Sequence, residues 1–283
     1  MKRGSRIKVL LLGTLVALIV GGSVVWLTQE RDSGMTVNAT MPPGDELRAF
    51  AASRVFFGHQ SVGANVIDGV ERTFFAAGTA GLLTVTESRE PVSTEGGFLA
   101  HAYVGVNGDP YGKLTDFKAV LDGPLGSNLD IAILKFCYID VVAETDVDAL
   151  FTAYSSMITD FERSHPSVRF LYTTVPLTTD RGWKSTVKSW IGDDDHMGPA
   201  DNLARQRYNE LVRLRFGSTG RLFDIAAVEA TLAQNPTERH TGSQVYYVLN
   251  QALAADPGHL NDLGAGLAAT ELIRVVAASS RER

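Results

Sequence analysis

The chain has 283 residues, of which 45% are hydrophobic and 20% are charged, a balance that excludes a disordered protein and suits a globular domain. The sequence contains 26 basic and 32 acidic residues, so the net charge is −6, which argues against a nucleic-acid-binding protein.

The amino-terminal segment predicts export. Four basic residues precede an uncharged run over residues 9–27, which is long enough to cross a bilayer as one helix. The basic flank should stay in the cytoplasm, so everything after the run should lie outside it. We expect residues 1–27 to be a retained single-pass anchor in the cell membrane, because no Ala-x-Ala site follows the run. A cleaved signal peptide and a secreted domain are the alternative.

A tether should join the anchor to the domain. Residues 28–43 are polar, contain Met-Pro-Pro and show no periodicity, so the folded domain should occupy residues 44–283. Residues 1–27 contain four basic residues and no acidic residue. The exported part therefore has 22 basic and 32 acidic residues, a net charge of −10. That charge suits a neutral or weakly charged substrate.

Apolar strands alternate with helical patterns in the rest of the chain. Helical spacing of apolar residues predicts helices over 150–161 and over 265–276. The alternation predicts a three-layer α/β/α sandwich with a parallel central sheet, in which ligands bind beyond the carboxyl ends of the strands. The candidate strands are Arg54 to Gly58, Leu82 to Thr86, Asp130 to Tyr138, Val168 to Val175 and Arg221 to Ile225.

The longest irregular stretch, Thr178 to Pro199, is long enough to be a lid or a binding loop. It contains Asp193-Asp194-Asp195-His196, but three consecutive carboxylates cannot all point at one ion without a shaped loop. We interpret them as a solvated turn and expect no metal site. Cys137 is the only cysteine and lies in an apolar stretch, where a thiol is usually an inert packing residue.

A serine follows the first candidate strand. Phe56-Phe57-Gly58-His59-Gln60-Ser61 leads into a helical pattern, so the Ser61 hydroxyl should lie at the carboxyl edge of the sheet. At a helix amino terminus, its own backbone N–H would point toward an oxyanion formed on an attacked carbonyl. The alternative is that Ser61 is only the N-cap of that helix.

A second pair of residues lies just before the last helical pattern, in Asp256-Pro257-Gly258-His259-Leu260-Asn261. An Asp three residues before a His can accept the Nδ1 proton and fix the tautomer. It can also stabilise the imidazolium that forms when Nε2 takes a serine proton. A plain structural hydrogen bond is the alternative for this pair.

Together these elements resemble the SGNH, or GDSL-like, hydrolase superfamily over about residues 50 to 280. The resemblance implies a catalytic triad of Ser61, His259 and Asp256. The family's serine block reads Gly-Asp-Ser, whereas this chain lacks the Asp and has one more residue between its glycine and Ser61. We expect His59 and Gln60, which fill that interval, to line the pocket or to donate hydrogen bonds.

Two further family blocks supply oxyanion donors. Gly105-Val106-Asn107-Gly108-Asp109 is similar to the second block, whose glycine offers a backbone N–H. The resemblance therefore implies Ser61 and Gly108 as backbone donors, and an Asn-Gly turn is the alternative for this stretch.

The third family block ends in Gly-x-Asn-Asp, and Ile139 stands where the Asn side chain would donate to the oxyanion. Loss of one such donor typically costs about a hundred- to a thousandfold in rate. A hydrogen bond from Asn107, His59, Gln60 or Tyr138 could replace it.

These features lead to three hypotheses. The first is an extracytoplasmic serine esterase without a cofactor, which cleaves O-acyl esters on a small molecule, an envelope polysaccharide or a glycolipid. The second is an O-acyltransferase that passes the acyl group to a sugar hydroxyl instead of water. The third is a non-catalytic glycan-binding module with a degraded oxyanion hole, which Ile139 favours and the intact Ser61, Asp256 and His259 oppose.

Overall fold

Six parallel strands form the centre of the computed structural model, which describes residues 41–182, 195–231 and 237–281. Their order across the sheet is β2-β3-β1-β4-β5-β6. The strands are β1 (Arg54–His59), β2 (Val85–Glu87), β3 (Phe98–Tyr103), β4 (Ile131–Leu134), β5 (Arg169–Thr173) and β6 (Leu222–Phe223).

Seven α-helices and two short antiparallel strand pairs complete the described residues. The helices are α1 (Gly44–Ala52), α2 (Val62–Ala76), α3 (Pro110–Asp122), α4 (Val147–Ser164), α5 (Pro199–Phe216), α6 (Ile225–Ala230) and α7 (Asp262–Arg281). The strand pairs are β7 (Glu238–Thr241) with β8 (Gln244–Tyr247), and β9 (Ala254–Asp256) with β10 (His259–Leu260).

Alternate side chains of each strand enter two different cores. Val55 and Phe57 of β1 pack with α1, α2, α6 and α7 on one face of the sheet, while Phe56 packs with α3, α4 and α5 on the other. Both faces of the sheet are therefore covered. The predicted α/β/α layering with a parallel sheet is confirmed for the described residues.

The sequence prediction missed one strand of the central sheet, β3, and the four short strands β7 to β10 outside it. Strand β3 pairs with β1 along its whole length, from Arg54 opposite Phe98 to His59 opposite Tyr103. Its sequence, Phe-Leu-Ala-His-Ala-Tyr, has an aromatic residue at each end, which favours a strand, but no β-branched residue and two alanines, so its strand propensity is mixed. The candidate strand at Leu82 to Thr86 is also shifted, because residues Ala80–Leu82 form a 3₁₀ turn before β2.

Strand order gathers three loops at one place. From β1 the chain crosses to β2 and β3 on one side, and then to β4 on the other side of β1. The segments that follow β1, β3 and β4 therefore leave the sheet side by side at its carboxyl edge. In a parallel sheet, such a change of direction opens a crevice in which ligands bind.

Among the described helices, α7 alone has the length and apolar composition of a membrane span. It is a core helix here, since 56% of its most apolar window is buried against the rest of the domain. The predicted anchor at residues 9–27, and the tether as far as residue 40, lie outside the described residues.

A glycine sets how closely α2 approaches α7. A Cβ atom at Gly69 would lie 2.3 Å from the carbonyl oxygen of Ala265, whereas one at Gly266 would meet no atom within 4 Å. We expect Gly69→Ala to lower the free energy of unfolding by about 1–3 kcal/mol through overpacking. The matched control Gly266→Ala should raise it by about 0.5–1 kcal/mol, since alanine favours a helix. Urea titration of both variants checks this, and equal effects would contradict the close packing.

Candidate active site

Ser61 occupies the N-cap position of α2, but its side chain does not cap the helix. The hydroxyl instead points across the sheet edge, where Ser61 Oγ lies 3.6 Å from Cys137 Sγ. Cys137 follows β4 and is buried. The interpretation of Ser61 as only an N-cap therefore does not fit the position of its hydroxyl, which faces the crevice between β1 and β4.

Asp256 and His259 face each other across the β9–β10 pair. His259 Nδ1 lies 2.8 Å from both carboxylate oxygens of Asp256, and the Gly258 N–H donates to Asp256 Oδ1 at 2.9 Å. Burial raises the pKa of Asp256, but the bonds from Gly258 and His259 together outweigh it and hold the pKa below its usual value. Because the carboxylate can only accept, the proton of a neutral His259 lies on Nδ1 and leaves Nε2 as a base.

Two contacts bring the histidine loop close to the serine helix and to the segment after β4. The Leu260 N–H donates to Asn65 Oδ1 at 3.3 Å, one turn beyond Ser61 on α2. The Tyr138 ring lies edge-on to the His259 ring, with centroids 6.5 Å apart. Among the described residues, Ser61 Oγ contacts Cys137 Sγ and makes no hydrogen bond to His259 Nε2.

Asp140 joins the loops that follow β3 and β4. Its Oδ1 accepts the Gly108 N–H at 2.8 Å, and its Oδ2 accepts the Cys137 N–H at 2.6 Å. The Lys113 ammonium forms an ion pair with the same Oδ2, and both side chains are fully buried. A buried carboxylate with two backbone donors and an ammonium group is well satisfied, so Asp140 fixes both loops in one arrangement.

This arrangement corrects the expected oxyanion donors of the second block. The Gly108 N–H is committed to Asp140 and is not free for a substrate oxygen. Asn107 is exposed, and its Oδ1 accepts from Lys113 Nζ at 2.9 Å. The glycine at position 108 has a φ of 86° and open space around it, which fits the turn interpretation.

His59 and Gln60, which were expected to line the pocket or to donate hydrogen bonds, both make contacts within the protein. The His59 ring is fully buried beneath the serine turn, in contact with Gly63 and with its Nε2 3.2 Å from His101 Nδ1. Burial, aided by the nearby charge of Lys135, lowers the pKa of His59 to about 3, so the ring is neutral at neutral pH. Gln60 Nε2 donates hydrogen bonds to the carbonyl oxygens of residues 104 and 105. The buried His59 therefore supports the serine turn rather than lines a pocket, and Gln60 joins that turn to the segment after β3.

Of the four residues interpreted as a solvated turn, Asp193 and Asp194 lie outside the described residues. Asp195 Oδ1 accepts from Arg181 Nε at 2.8 Å. Among the described residues, three side chains that could ligate a metal ion have their oxygen or nitrogen atoms within 4.8 Å of one another: Glu144, His196 and Asp201. The sequence did not indicate this cluster.

No protein-family model matches this sequence, and no curated protein matches it either. Solved structures do match. A GDSL-like lipase from Bacteroides thetaiotaomicron is 14% identical, with 83% of this chain and 88% of that chain covered and a TM-score of 0.46. A candidate lipolytic protein of the G-D-S-L family from Desulfitobacterium hafniense is 11% identical, with 79% and 99% covered and a TM-score of 0.48.

The periplasmic domain of a lipopolysaccharide acetyltransferase from Salmonella ser. Paratyphi A is 12% identical, with 76% of this chain and 80% of that chain covered and a TM-score of 0.40. At such low identity the similarity assigns no activity to this chain.

The Lys113–Asp140 pair predicts a large difference between two lysines of α3. Lys113→Met leaves Asp140 buried without its counter-charge and should lower the free energy of unfolding by about 3–5 kcal/mol. Lys118→Met removes an exposed pair with Asp122 on the same helix and should cost less than about 1 kcal/mol. Denaturant unfolding of the two variants measures the difference, and similar losses would contradict the role given to the buried pair.

Proposed function

We propose that this chain is a serine esterase whose reacting groups are Ser61, His259 and Asp256. One observation carries the proposal: Asp256 binds Nδ1 of His259, which leaves Nε2 free to act as a base. The Ser61 hydroxyl, which does not cap its helix, faces the sheet crevice in the same region. A serine beside an imidazole that a carboxylate orients is the arrangement that activates a hydroxyl for attack.

In the proposed reaction, Ser61 Oγ bonds to the acyl carbon while its proton passes to His259 Nε2. The tetrahedral intermediate collapses, its bond to the alcohol oxygen breaks, and His259 returns the proton to the leaving alcohol. Water then attacks the acyl-enzyme, gives a proton to His259, and releases the carboxylic acid as Ser61 regains its proton. Asp256 stabilises the imidazolium in both halves and remains ionised, as its lowered pKa favours.

The proposed substrates are O-acyl groups on neutral or weakly charged molecules of the cell envelope, such as polysaccharides or glycolipids. Two features support this class: the uncharged run at residues 9–27 with its basic flank, and the −10 charge of the remaining chain. An acyltransferase would use the same acyl-enzyme with a sugar hydroxyl in place of water. Product analysis with an added sugar alcohol separates transfer from hydrolysis.

The serine mechanism predicts that Ser61→Ala abolishes both ester hydrolysis and labelling by a fluorophosphonate probe. His259→Ala should lower kcat by at least about a thousandfold, since no base remains for the serine proton. Ser127→Ala is the matched control, because Ser127 is an exposed serine whose hydroxyl bonds, among the described residues, only the Pro124 carbonyl oxygen. Unchanged turnover in Ser61→Ala would overturn the mechanism and favour the binding-module hypothesis.

The proposed location predicts that a protease added to cells with an opened outer barrier digests the domain. The physical reason is the positive flank before residue 9, which resists transfer across the membrane. Immunoblotting of the domain gives the readout, with a cytoplasmic protein as the control for intact cells. Protection equal to that of the cytoplasmic control would contradict export.

A further inference from the structure

Among the described residues, few side chains near Ser61 have a free hydrogen-bond donor. Its own backbone N–H makes no hydrogen bond among the described residues, as expected at the start of a helix. The Gly108 N–H and the Gln60 amide donate elsewhere, and His59 is buried. The Ile139 side chain has no donor. An oxyanion on a substrate bound at Ser61 therefore lacks the side-chain donor that the third family block normally supplies.

Tyr138 extends from the segment that contacts Ser61 to the loop that carries His259. It directly follows Cys137, whose Sγ contacts Ser61 Oγ, and its ring lies edge-on to His259. A Cβ atom at Gly258 would lie 2.9 Å from the phenol oxygen, so the hydroxyl end of Tyr138 reaches the loop that carries His259. The Tyr138 phenol makes no hydrogen bond among the described residues and is half-buried, so its proton is available to a ligand.

Arg205 holds Tyr138 in place from beneath. Its guanidinium is fully buried, Nε donates to the Tyr138 carbonyl oxygen at 2.9 Å, and Cζ lies 5.5 Å from the Tyr138 ring centroid. Nη1 of Arg205 is in turn bound to Asn202 Oδ1 at 2.8 Å. The tyrosine is thus fixed before substrate arrives, which is the condition for a donor to stabilise developing charge without reorganisation.

Burial raises the pKa of Tyr138, because the phenolate would lose hydration in this half-buried position. The nearby carboxylate of Asp256 acts in the same direction. The side chain therefore keeps its proton at neutral pH and remains a donor.

We propose that the Tyr138 phenol donates a hydrogen bond to the oxyanion of the tetrahedral intermediate and takes the place of the donor that Ile139 lacks. The inference rests on the proposed serine mechanism and adds a catalytic residue to it. Ser61 N–H and Tyr138 O–H then form a two-donor oxyanion hole. One donor comes from the start of α2 and the other from the segment after β4.

Tyr138→Phe in the full-length chain tests the proposal, because it removes the hydroxyl and keeps the ring that contacts Arg205 and His259. With p-nitrophenyl acetate, kcat should fall about a hundred- to a thousandfold while KM changes less than about threefold, as for loss of an oxyanion donor. Tyr111→Phe, on an exposed tyrosine of α3, is the matched control and should stay within about threefold of wild type.

A rescue variant separates the oxyanion role from a structural one. In the Tyr138→Phe background, Ile139→Asn restores an amide at the family position and should recover part of the lost kcat. In the wild-type background, the same substitution should leave kcat level. Thermal unfolding of Tyr138→Phe should match that of wild type, which would exclude loss of folded protein as the cause of the lower kcat.

The outcomes distinguish this inference from the proposed function. Wild-type turnover that depends on Ser61 but survives Tyr138→Phe within about threefold overturns the Tyr138 role alone. Tyr138→Phe could instead slow the hydrolysis of ethyl acetate, whose leaving oxygen needs a proton, without slowing that of p-nitrophenyl acetate. That result would show that the phenol assists the leaving oxygen, and it would also overturn the oxyanion role. Absence of any turnover that depends on Ser61 overturns both proposals together.

Discussion

The buried ion pair between Lys113 and Asp140 is the interaction on which the candidate site depends. Neither segment that it joins is held by strand pairing, since β3 ends at Tyr103 and β4 ends at Leu134. Asp140 instead accepts the Gly108 and Cys137 N–H groups, and Lys113 supplies the charge that makes a buried carboxylate tolerable. The position of Cys137 fixes where the Ser61 hydroxyl rests and where Tyr138 begins. One ion pair therefore sets the geometry on the β4 side of the crevice.

Other buried ionisable side chains serve the same purpose deeper in the domain. Lys135 Nζ donates to the Phe136 carbonyl oxygen, and burial lowers its pKa. Glu229 accepts the Leu177 N–H at 2.5 Å, and burial raises its pKa to about 8. Arg205 completes the set through the Tyr138 carbonyl oxygen. Where parallel strands end, their backbone groups lose ladder partners, and these side chains satisfy the groups that remain buried.

Local pattern was enough to predict what depends on neighbours in sequence. Helical spacing located α4 and α7, and the pairing of His259 with Asp256 follows from three residues of separation on one turn. The shift of β2 has a local cause, the 3₁₀ turn at Ala80–Leu82, but the two failures nearest to the site involve distant partners. Strand β3 exists because β1 offers it a full edge, and the Gly108 N–H is lost to an aspartate 32 residues away. No local signal in the glycine block reveals that bond.

The departures from the family blocks make sense as one change rather than several. The position of the third-block glycine is filled by Cys137, whose thiol meets the Ser61 hydroxyl, and the position of the Asn is filled by Ile139. In the proposed mechanism, Ser61 exchanges a weak bond to sulfur for a stronger one to an imidazole, so leaving Cys137 costs little. Tyr138, between these two positions, then offers the hydroxyl that the block otherwise lacks. On this proposal, the oxyanion hole moves by one residue along the chain, and the buried Arg205 is what makes the new donor rigid.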